Sequence, residues 1–299
     1  MDPHQRAQVL VEALPYIRRF NGSTMVIKYG GHAMLDEILK ESFALDVTLL
    51  WFVGIRPIVV HGGGPQIGKM LKGLSIESNF VDGMRVTDEK TMEVVEMVLT
   101  GQTNKEIVTK INLAGGKAVG ISGKDGGLLL AEKLLYKKNS TDGEKEIDLG
   151  LVGEVKEVRP EILYTLTESG FIPVISPVAA GRTGQSFNLN ADTAAGYIAG
   201  ALNARKLILL TDTQGVLDNQ GNLISTLKAK DAEEMISAGV IKGGMVPKVR
   251  CCLDALKMGV KKAHIIDGRV EHSILLEIFT DLGVGTEIVL GEPENERYN

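Results

Sequence analysis

Cysteine is almost missing: the chain has two in 299 residues, and they are the adjacent pair Cys251 and Cys252. Neighbours in sequence are poorly placed to bond each other, so a disulfide scaffold and a thiolate zinc site are both excluded. A reducing compartment fits, the cytoplasm or, for an algal or plant protein, the plastid stroma. Long apolar runs are also lacking. The most apolar stretches, Leu207–Leu210 and Pro57–Val60, fall far short of a bilayer span. Met1 to Asn21 has no basic segment followed by an apolar block, which excludes a secretory signal. There is no run of Lys or Arg and no basic patch interleaved with aromatics. With a formal charge of −5, neither nucleic acid nor a membrane is an expected partner.

What is present is an ordinary globular makeup, 44% hydrophobic and 24% charged, in a chain long enough to bury a substantial core. Short β-branched runs alternate with longer helical patterns. Strands are predicted at Thr24–Lys28, Arg56–His61, Lys117–Ser122, Phe171–Ile175, Lys206–Thr211 and Lys262–Asp267. Several are apolar on both faces, as parallel strands covered by helices must be. Helices are predicted at Leu35–Phe52, Asp88–Leu113, Pro160–Ser169, Asp192–Leu202, Asp231–Ala238 and Pro247–Met258. The alternation specifies an α/β fold with a mostly parallel central sheet and helices on both sides. The first twenty residues read as a separate amphipathic helix with Val9, Leu10, Ala13, Leu14 and Ile17 along one side. Tyr136–Gly150 is polar and charged and reads as an exposed hairpin tip or insertion. A fresh strand–loop–helix series begins at Ala204–Arg205, which is taken as a lobe boundary.

Two strands end in glycine-rich turns, Lys28-Tyr29-Gly30-Gly31 and His61-Gly62-Gly63-Gly64-Pro65. Ligands of open parallel sheets bind beyond the carboxyl ends of the strands, where both loops fall. Glycine brings bare N–H groups close to anionic oxygens, and a helix N-terminus behind the loop adds favourable charge. Either loop alone fits a plain strand–helix turn equally well. Gly63 to Lys69 also meets the G-x-x-x-x-G-K part of a P-loop, but Met70 stands where a Ser or Thr hydroxyl is required. Ile67 occupies the third glycine position of a dinucleotide fingerprint, so that reading fails as well.

Single charged residues are ambiguous taken one at a time. Lys28 ends an apolar strand beside two glycines, a poor place for a solubilising lysine. Lys248 lies where a flexible glycine loop enters a helix. Asp192, alone, reads as the N-cap of the helix behind it. Arg85 follows a turn at Asp82-Gly83-Met84 and offers the fork that clamps a carboxylate. Asp212 sits at the end of a buried strand.

Together the segments are specific. Lys28-Tyr29-Gly30-Gly31, His61-Gly62-Gly63-Gly64-Pro65, Gly83-Met84-Arg85-Val86-Thr87, Asn188-Leu189-Asn190-Ala191-Asp192 and Gly243-Gly244-Met245-Val246-Pro247-Lys248 follow one another in a telling order. In order and spacing they resemble the N-acetylglutamate kinases of the amino-acid kinase family, from about Ala13 to Gly291. The resemblance implies a three-layer αβα sandwich and transfer of a phosphoryl group from ATP, with Mg²⁺, to the γ-carboxylate of N-acetyl-L-glutamate. It implies a helix at 1–22 for oligomerisation and regulation, an acyl-substrate lobe at 23–204 and an ATP lobe at 205–299. Lys28 and Lys248 would be transition-state lysines oriented by Asp192. Gly63, Gly64, Arg85 and Asn188 would hold the acyl substrate, and Gly30, Gly31, Asp212, Lys242 and Gly244 would lie near the nucleotide. No metal ligand among the protein's own side chains is implied.

The N-terminal helix with Ala13-Leu14-Pro15-Tyr16, together with His272–Glu277 and Gly283–Thr286, resembles the arginine-inhibited, hexameric members. That implies an L-arginine site near Tyr16, His272, Glu277 and Gly283. Cys251-Cys252 and Ile265–Arg269 are similar to the photosynthetic branch, which implies a PII-type signalling protein as a partner. Other kinases of this fold, a Rossmann-type oxidoreductase and a silent amino-acid sensor are the alternatives. The oxidoreductase would require the missing glycine fingerprint, and the sensor would lose a lysine, whereas both Lys28 and Lys248 are present.

Overall fold

The computed structural model describes residues 2–140, 143–281 and 283–291; parts of the predicted first and last segments and of the 136–150 insertion lie outside them. One eight-stranded sheet organises the chain. In spatial order its strands are Thr226–Lys228, Thr286–Val289, Lys262–Asp267, Lys206–Thr211, Thr24–Tyr29, Arg56–His61, Ile172–Ser176 and Ala118–Ser122. All neighbours are parallel except Thr286–Val289 against Lys262–Asp267. The six predicted strands are all in this sheet, within a residue or so of their expected ends. The two strands at one edge, Thr226–Lys228 and Thr286–Val289, were not expected. They are only three and four residues long, too short to show a period.

Alternation along the strands explains the layers. Val26, Ile58, Val60, Leu207 and Leu209 face one core with Leu163, Ala195, Ile198 and Leu253 from the helices Glu161–Glu168, Ala191–Ala201 and Met245–Lys257. Met25, Ile27, Tyr29, Val59, Ile208 and Leu210 face the other, with Phe43, Val47, Ile107, Ile111 and Ile274 from Glu37–Phe52, Asn104–Leu113 and Ser273–Ile278. The result is the three-layer αβα sandwich. The strand Lys206–Thr211 pairs directly with Thr24–Tyr29, so the sheet is continuous across the Ala204–Arg205 position.

Two features depart from the sequence reading. First, Leu129–Lys133, Val152–Val158, Val178–Ala180 and Ser186–Leu189 close into a small barrel beside the main sheet. Second, the long helix expected over Asp88–Leu113 is α-helical only at Glu89–Glu96 and Asn104–Leu113, with a π-helical stretch at Met97–Thr103 between. An apolar stripe reads the same through a π stretch, so periodicity hid it. The first helix, Pro3–Phe20, is formed as expected and leaves much of its apolar side in solvent: Leu10 is 73% exposed, and Val9 and Leu14 are half exposed. The strands Tyr136–Ser140 and Gly143–Ile147 form the expected hairpin; its Thr141 and Asp142 lie outside the described residues. Among the described residues no helix is long and apolar enough to cross a membrane.

Candidate active site

Three predicted residues meet at the carboxyl end of the sheet. The helix Ala191–Ala201 is capped by Asn190, whose side chain accepts from the Thr193 N–H at 3.1 Å. The capping role considered for Asp192 therefore belongs to Asn190, and Asp192, in the first turn, points into the site. Lys248 Nζ donates to Asp192 Oδ2 at 2.6 Å, and Lys28 Nζ lies 3.0 Å from Oδ1. Burial pushes the Asp192 carboxyl up, but the two lysines outweigh it and hold the group below the usual carboxylate range. A buried carboxylate fixed between two ammonium groups is no proton acceptor. It spaces two cations that repel each other.

Glycine makes room for this arrangement. A Cβ on Gly30 would stand 2.6 Å from Lys28 Nζ, so any larger residue displaces the lysine head. Gly31 has φ +72°, and its Cβ would stand 2.4 Å from Asp212 Oδ1. The reason is that Asp212 clasps this loop, accepting from the His32 N–H at 2.8 Å with His32 Nδ1 3.3 Å from its other oxygen. Asp212 thus ties the first glycine loop to the C-terminal half of the sheet. Lys242 and Gly244 lie exposed in the turn that opens the helix Met245–Lys257, and Gly244 has open space beside it.

The second loop faces the first. Gly63 precedes the helix Gly64–Gly73, which no side chain caps. Its Cβ would stand 2.5 Å from Leu99 Cδ2. The N–H groups of Gly63 and Gly64 donate to no acceptor among the described residues, as at an anion-receiving helix start. Arg85 sits on a two-residue hairpin whose turn, Asp82 and Gly83, has φ of 47° and 83°. Its guanidinium donates to the Gly64 carbonyl at 3.0 Å and to Ser78 Oγ, and lies 4.6 Å from the Phe80 ring centre. Asn188, on the small barrel, donates to Thr87 Oγ1 at 3.3 Å, and that hydroxyl donates to the Arg85 carbonyl. Gly63, Gly64, Arg85 and Asn188 are therefore one connected group.

The four residues expected at a regulatory site divide. Tyr16 Oη donates to Asp281, and the Tyr16 ring meets the Phe279 ring edge-on with centres 6.5 Å apart. Glu277 is buried close by, accepting from the Val284 N–H at 2.8 Å, and a Cβ on Gly283 would press on its carboxylate. His272 lies at the other end of the helix Ser273–Ile278, 2.6 Å from buried Asp46 and bonded to Ser42.

Sequence reasoning passed over several buried polar residues. Lys206 donates to His264 Nε2 at 2.9 Å, and His264 Nδ1–H donates to Glu277 at 2.7 Å. Burial lowers Lys206 to about 8, against the pull of Glu277. A lysine at the head of the buried strand Lys206–Thr211 and a histidine in the middle of Lys262–Asp267 were the available signal. His61 and Asn104, both fully buried beneath the second glycine loop, had one as well: a histidine closing an apolar strand.

Comparison with known proteins fits this picture. The model of the Amino acid kinase family matches residues 23–267. Acetylglutamate kinase of Citrifermentans bemidjiense is 61% identical over 285 residues, covering 95% of this chain and 98% of that protein. The acetylglutamate kinase of Syntrophus aciditrophicus is 60% identical over 290 residues, covering 96% and 98%. Among solved structures, N-acetylglutamate synthase from Neisseria gonorrhoeae with coenzyme A and N-acetyl-glutamate superposes with a TM-score of 0.83 at 26% identity. The match covers 96% of this chain and 64% of that longer one. Carbamate kinase from Giardia lamblia bound to AMP-PNP, at 16% identity and a TM-score of 0.65, covers 90% of this chain and 99% of that one and shares the fold. The chain belongs to the amino acid kinase family, and within it to the acetylglutamate kinases, phosphotransferases with a carboxyl group as acceptor.

Proposed function

We propose that this enzyme transfers the γ-phosphoryl group of ATP to the γ-carboxylate of N-acetyl-L-glutamate, giving N-acetyl-L-glutamyl 5-phosphate for arginine biosynthesis. The observation that carries the reading is Asp192 held between Lys28 and Lys248 at the mouth of two glycine loops. A free γ-carboxylate with a pKa of about 4.3 is ionised at neutral pH and needs no general base. The difficulty is bringing an anion in line with a polyanionic triphosphate. Two lysines spaced by a buried carboxylate supply charge at the migrating phosphoryl group, and free N–H groups at Gly63 and Gly64 supply hydrogen bonds. Arg85 and Asn188 hold the rest of the acyl substrate, the guanidinium presenting its fork to the α-carboxylate. Gly30, Gly31, Asp212, Lys242 and Gly244 line the nucleotide side. Mg²⁺ arrives with ATP as the substrate MgATP, bound chiefly by phosphate oxygens. The name borne by relatives 60–61% identical over nearly the whole chain supports N-acetylglutamate as the acceptor.

The test is acyl phosphate formation trapped as hydroxamate, in MgATP with N-acetyl-L-glutamate, glutamate, aspartate or no acceptor. Product from N-acetyl-L-glutamate alone is the expected outcome. Product from another acceptor moves the substrate, and none from any, in protein shown to bind ATP, favours a sensor.

The reading extends to feedback inhibition by L-arginine at Tyr16, Glu277 and Gly283, with His272 anchoring the helix that carries Glu277. A buried carboxylate beside a glycine turn suits a guanidinium. The gonococcal synthase has also been solved with coenzyme A and L-arginine. The exposed stripe on the first helix supports a homo-oligomer, a hexamer in this reading, and light scattering measures it. A PII-type partner is tested by co-elution in MgATP.

A further inference from the structure

The glycine loop that offers its N–H groups to the acceptor is held from beneath by a pair of residues outside the substrate-facing set. His61 ends its strand with the side chain on the face opposite Lys28, fully buried. Its Nδ1 lies 2.8 Å from the Gly62 carbonyl oxygen, and its Nε2 lies 3.2 Å from Asn104 Nδ2. A carbonyl can only accept, so Nδ1 carries the proton. Nε2 then holds a lone pair and accepts from the Asn104 amide.

The orientation of Asn104 is fixed independently. Its Nδ2 also faces the carbonyls of Val174 at 2.9 Å and Ile121 at 3.3 Å, while its Oδ1 accepts from Lys105 Nζ at 3.1 Å. Three acceptors surround one nitrogen and a cation meets the oxygen, so a flipped amide does not fit. Gly120 leaves the space, since a Cβ there would fall 1.9 Å from Asn104 Oδ1. Asn104 is the first residue after the π-helical stretch Met97–Thr103. The widened turn sets where this side chain emerges beneath the loop.

The geometry points to His61 and Asn104 as positioning residues that aim the Gly63 N–H at the acceptor's carboxylate. In a trans peptide the C=O and N–H point opposite ways. Holding the Gly62 carbonyl down toward His61 therefore turns the Gly63 N–H up and away, toward the Lys28 side of the sheet. Three glycines in a row could flip this peptide at little cost, and the imidazole removes that freedom. Asn104 keeps the imidazole in the one neutral tautomer that can hold the carbonyl. Burial reinforces the arrangement by pushing His61 down to about 4, so that it stays neutral during turnover.

The inference rests on the proposed reaction, and the test separates the two. The side-chain amide of an Asn places its N–H near the position of Nδ1, so His61→Asn keeps the donor to Gly62. His61→Gln and His61→Leu remove it. The expected result is a KM for N-acetyl-L-glutamate raised about tenfold in His61→Gln and His61→Leu, the worth of one well-placed hydrogen bond. The KM for ATP should stay within about twofold, and His61→Asn should restore the acceptor KM to within about threefold. Wild-type constants in His61→Leu, or His61→Asn no better than His61→Leu, would overturn the proposal.

Nitrogen NMR of the wild-type protein with labelled histidine gives a second reading that needs no variant to fold. It should show a neutral, Nδ1-protonated imidazole at pH 7 besides that of His264, assigned to His61 among the five histidines by its loss in His61→Asn. An Nε2-protonated or charged His61 would equally overturn the lock. If the wild-type enzyme phosphorylates a different acceptor, the reaction assignment fails while the same variants, read on that acceptor, still decide the lock.

Discussion

Lys248 donates to Asp192 at 2.6 Å across 56 residues of sequence, and the other carboxylate oxygen faces Lys28, 3.0 Å away. The strand that starts the fold and the helix that nearly ends it thus meet at one carboxylate. Removing either lysine leaves Asp192 paired, whereas removing the carboxylate leaves a buried and a partly buried cation facing each other. Lys28→Ala and Lys248→Ala should each lower kcat by about 10²-fold or more while leaving the fold intact. Asp192→Asn should also lose stability, about 3 kcal/mol in urea unfolding, because it breaks a buried pair from the shared side. Equal stability of Asp192→Asn and Lys248→Ala would count against this division of roles.

Gly30 offers a cleaner perturbation of the same centre. Its φ of −177° is extended backbone open to any residue, so alanine there meets no backbone strain. The only conflict is with Lys28, whose Nζ and Cε would lie 2.6 and 2.9 Å from the new Cβ. Gly30→Ala should melt within about 3 °C of the wild type, since a flexible lysine head can move aside at little cost. It should nevertheless reduce kcat substantially, because the displaced ammonium is the one beside Asp192. A normal kcat in Gly30→Ala would show that the position of the Lys28 head is not critical.

Much of this was legible in the sequence, for identifiable reasons. Parallel strands buried on both faces give unbroken apolar runs, so Arg56–His61, Lys206–Thr211 and Lys262–Asp267 were located to the residue. Glycine loops betray themselves by composition, which placed Gly30, Gly31, Gly63 and Gly64. Hidden were features that depend on partners distant in sequence. Asp46 looks like one polar residue in a helix until His272, 226 residues away, is seen at 2.6 Å. The small barrel escaped because two of its four strands, Val178–Ala180 and Ser186–Leu189, are only three and four residues long and carry too few side chains to show alternation. The π stretch escaped because its effect, the placement of Asn104, exists only in three dimensions.

Asp46 gives the fold a definable response to acid. Burial raises its carboxyl to about 6, although His272 and the N–H groups of Ile274 and Leu275 act in the opposite direction. The folded state therefore keeps a proton between about pH 4 and 6 that the unfolded chain, with an ordinary Asp of about 3.9, has already released. A folded state that binds more protons is stabilised toward low pH, so this group's contribution declines as pH rises from about 4 to 6. Asp46→Asn cannot titrate and keeps an acceptor for the two N–H groups. In urea unfolding at a series of pH values, the difference in stability between Asp46→Asn and the wild type should grow in favour of the variant across that window. The difference should approach on the order of 3 kcal/mol, from a shift of about two units. A constant difference from pH 4 to 7 would show that Asp46 does not titrate there.

The first helix poses the remaining question, because it is anchored at its end and bare along much of its apolar side. Val9, Leu10, Val11 and Leu14 are 52, 73, 62 and 50% exposed, while Phe20 at the helix end is buried. A single exposed apolar residue is common, but four within six positions of one terminal helix make a surface that water does not favour. The helix is also well made on its own account. Asp2 forms a capping box with Gln5, and Arg18 and Arg19 close the last turn. Such a helix is built to be presented, and a second copy of it is the natural cover. Tyr16, which ties the helix to Asp281, couples that surface to the segment bearing Glu277 and Gly283. Leu10→Glu with Leu14→Glu should therefore lower the mass measured by light scattering while leaving the unfolding transition of the subunit in place. In the same variant, the arginine concentration for half inhibition should rise about tenfold, a coupling of ordinary size for two linked sites. An unchanged mass would remove the helix from the assembly. A changed mass with unchanged inhibition would separate oligomerisation from the arginine response and confine the latter to the Glu277 segment.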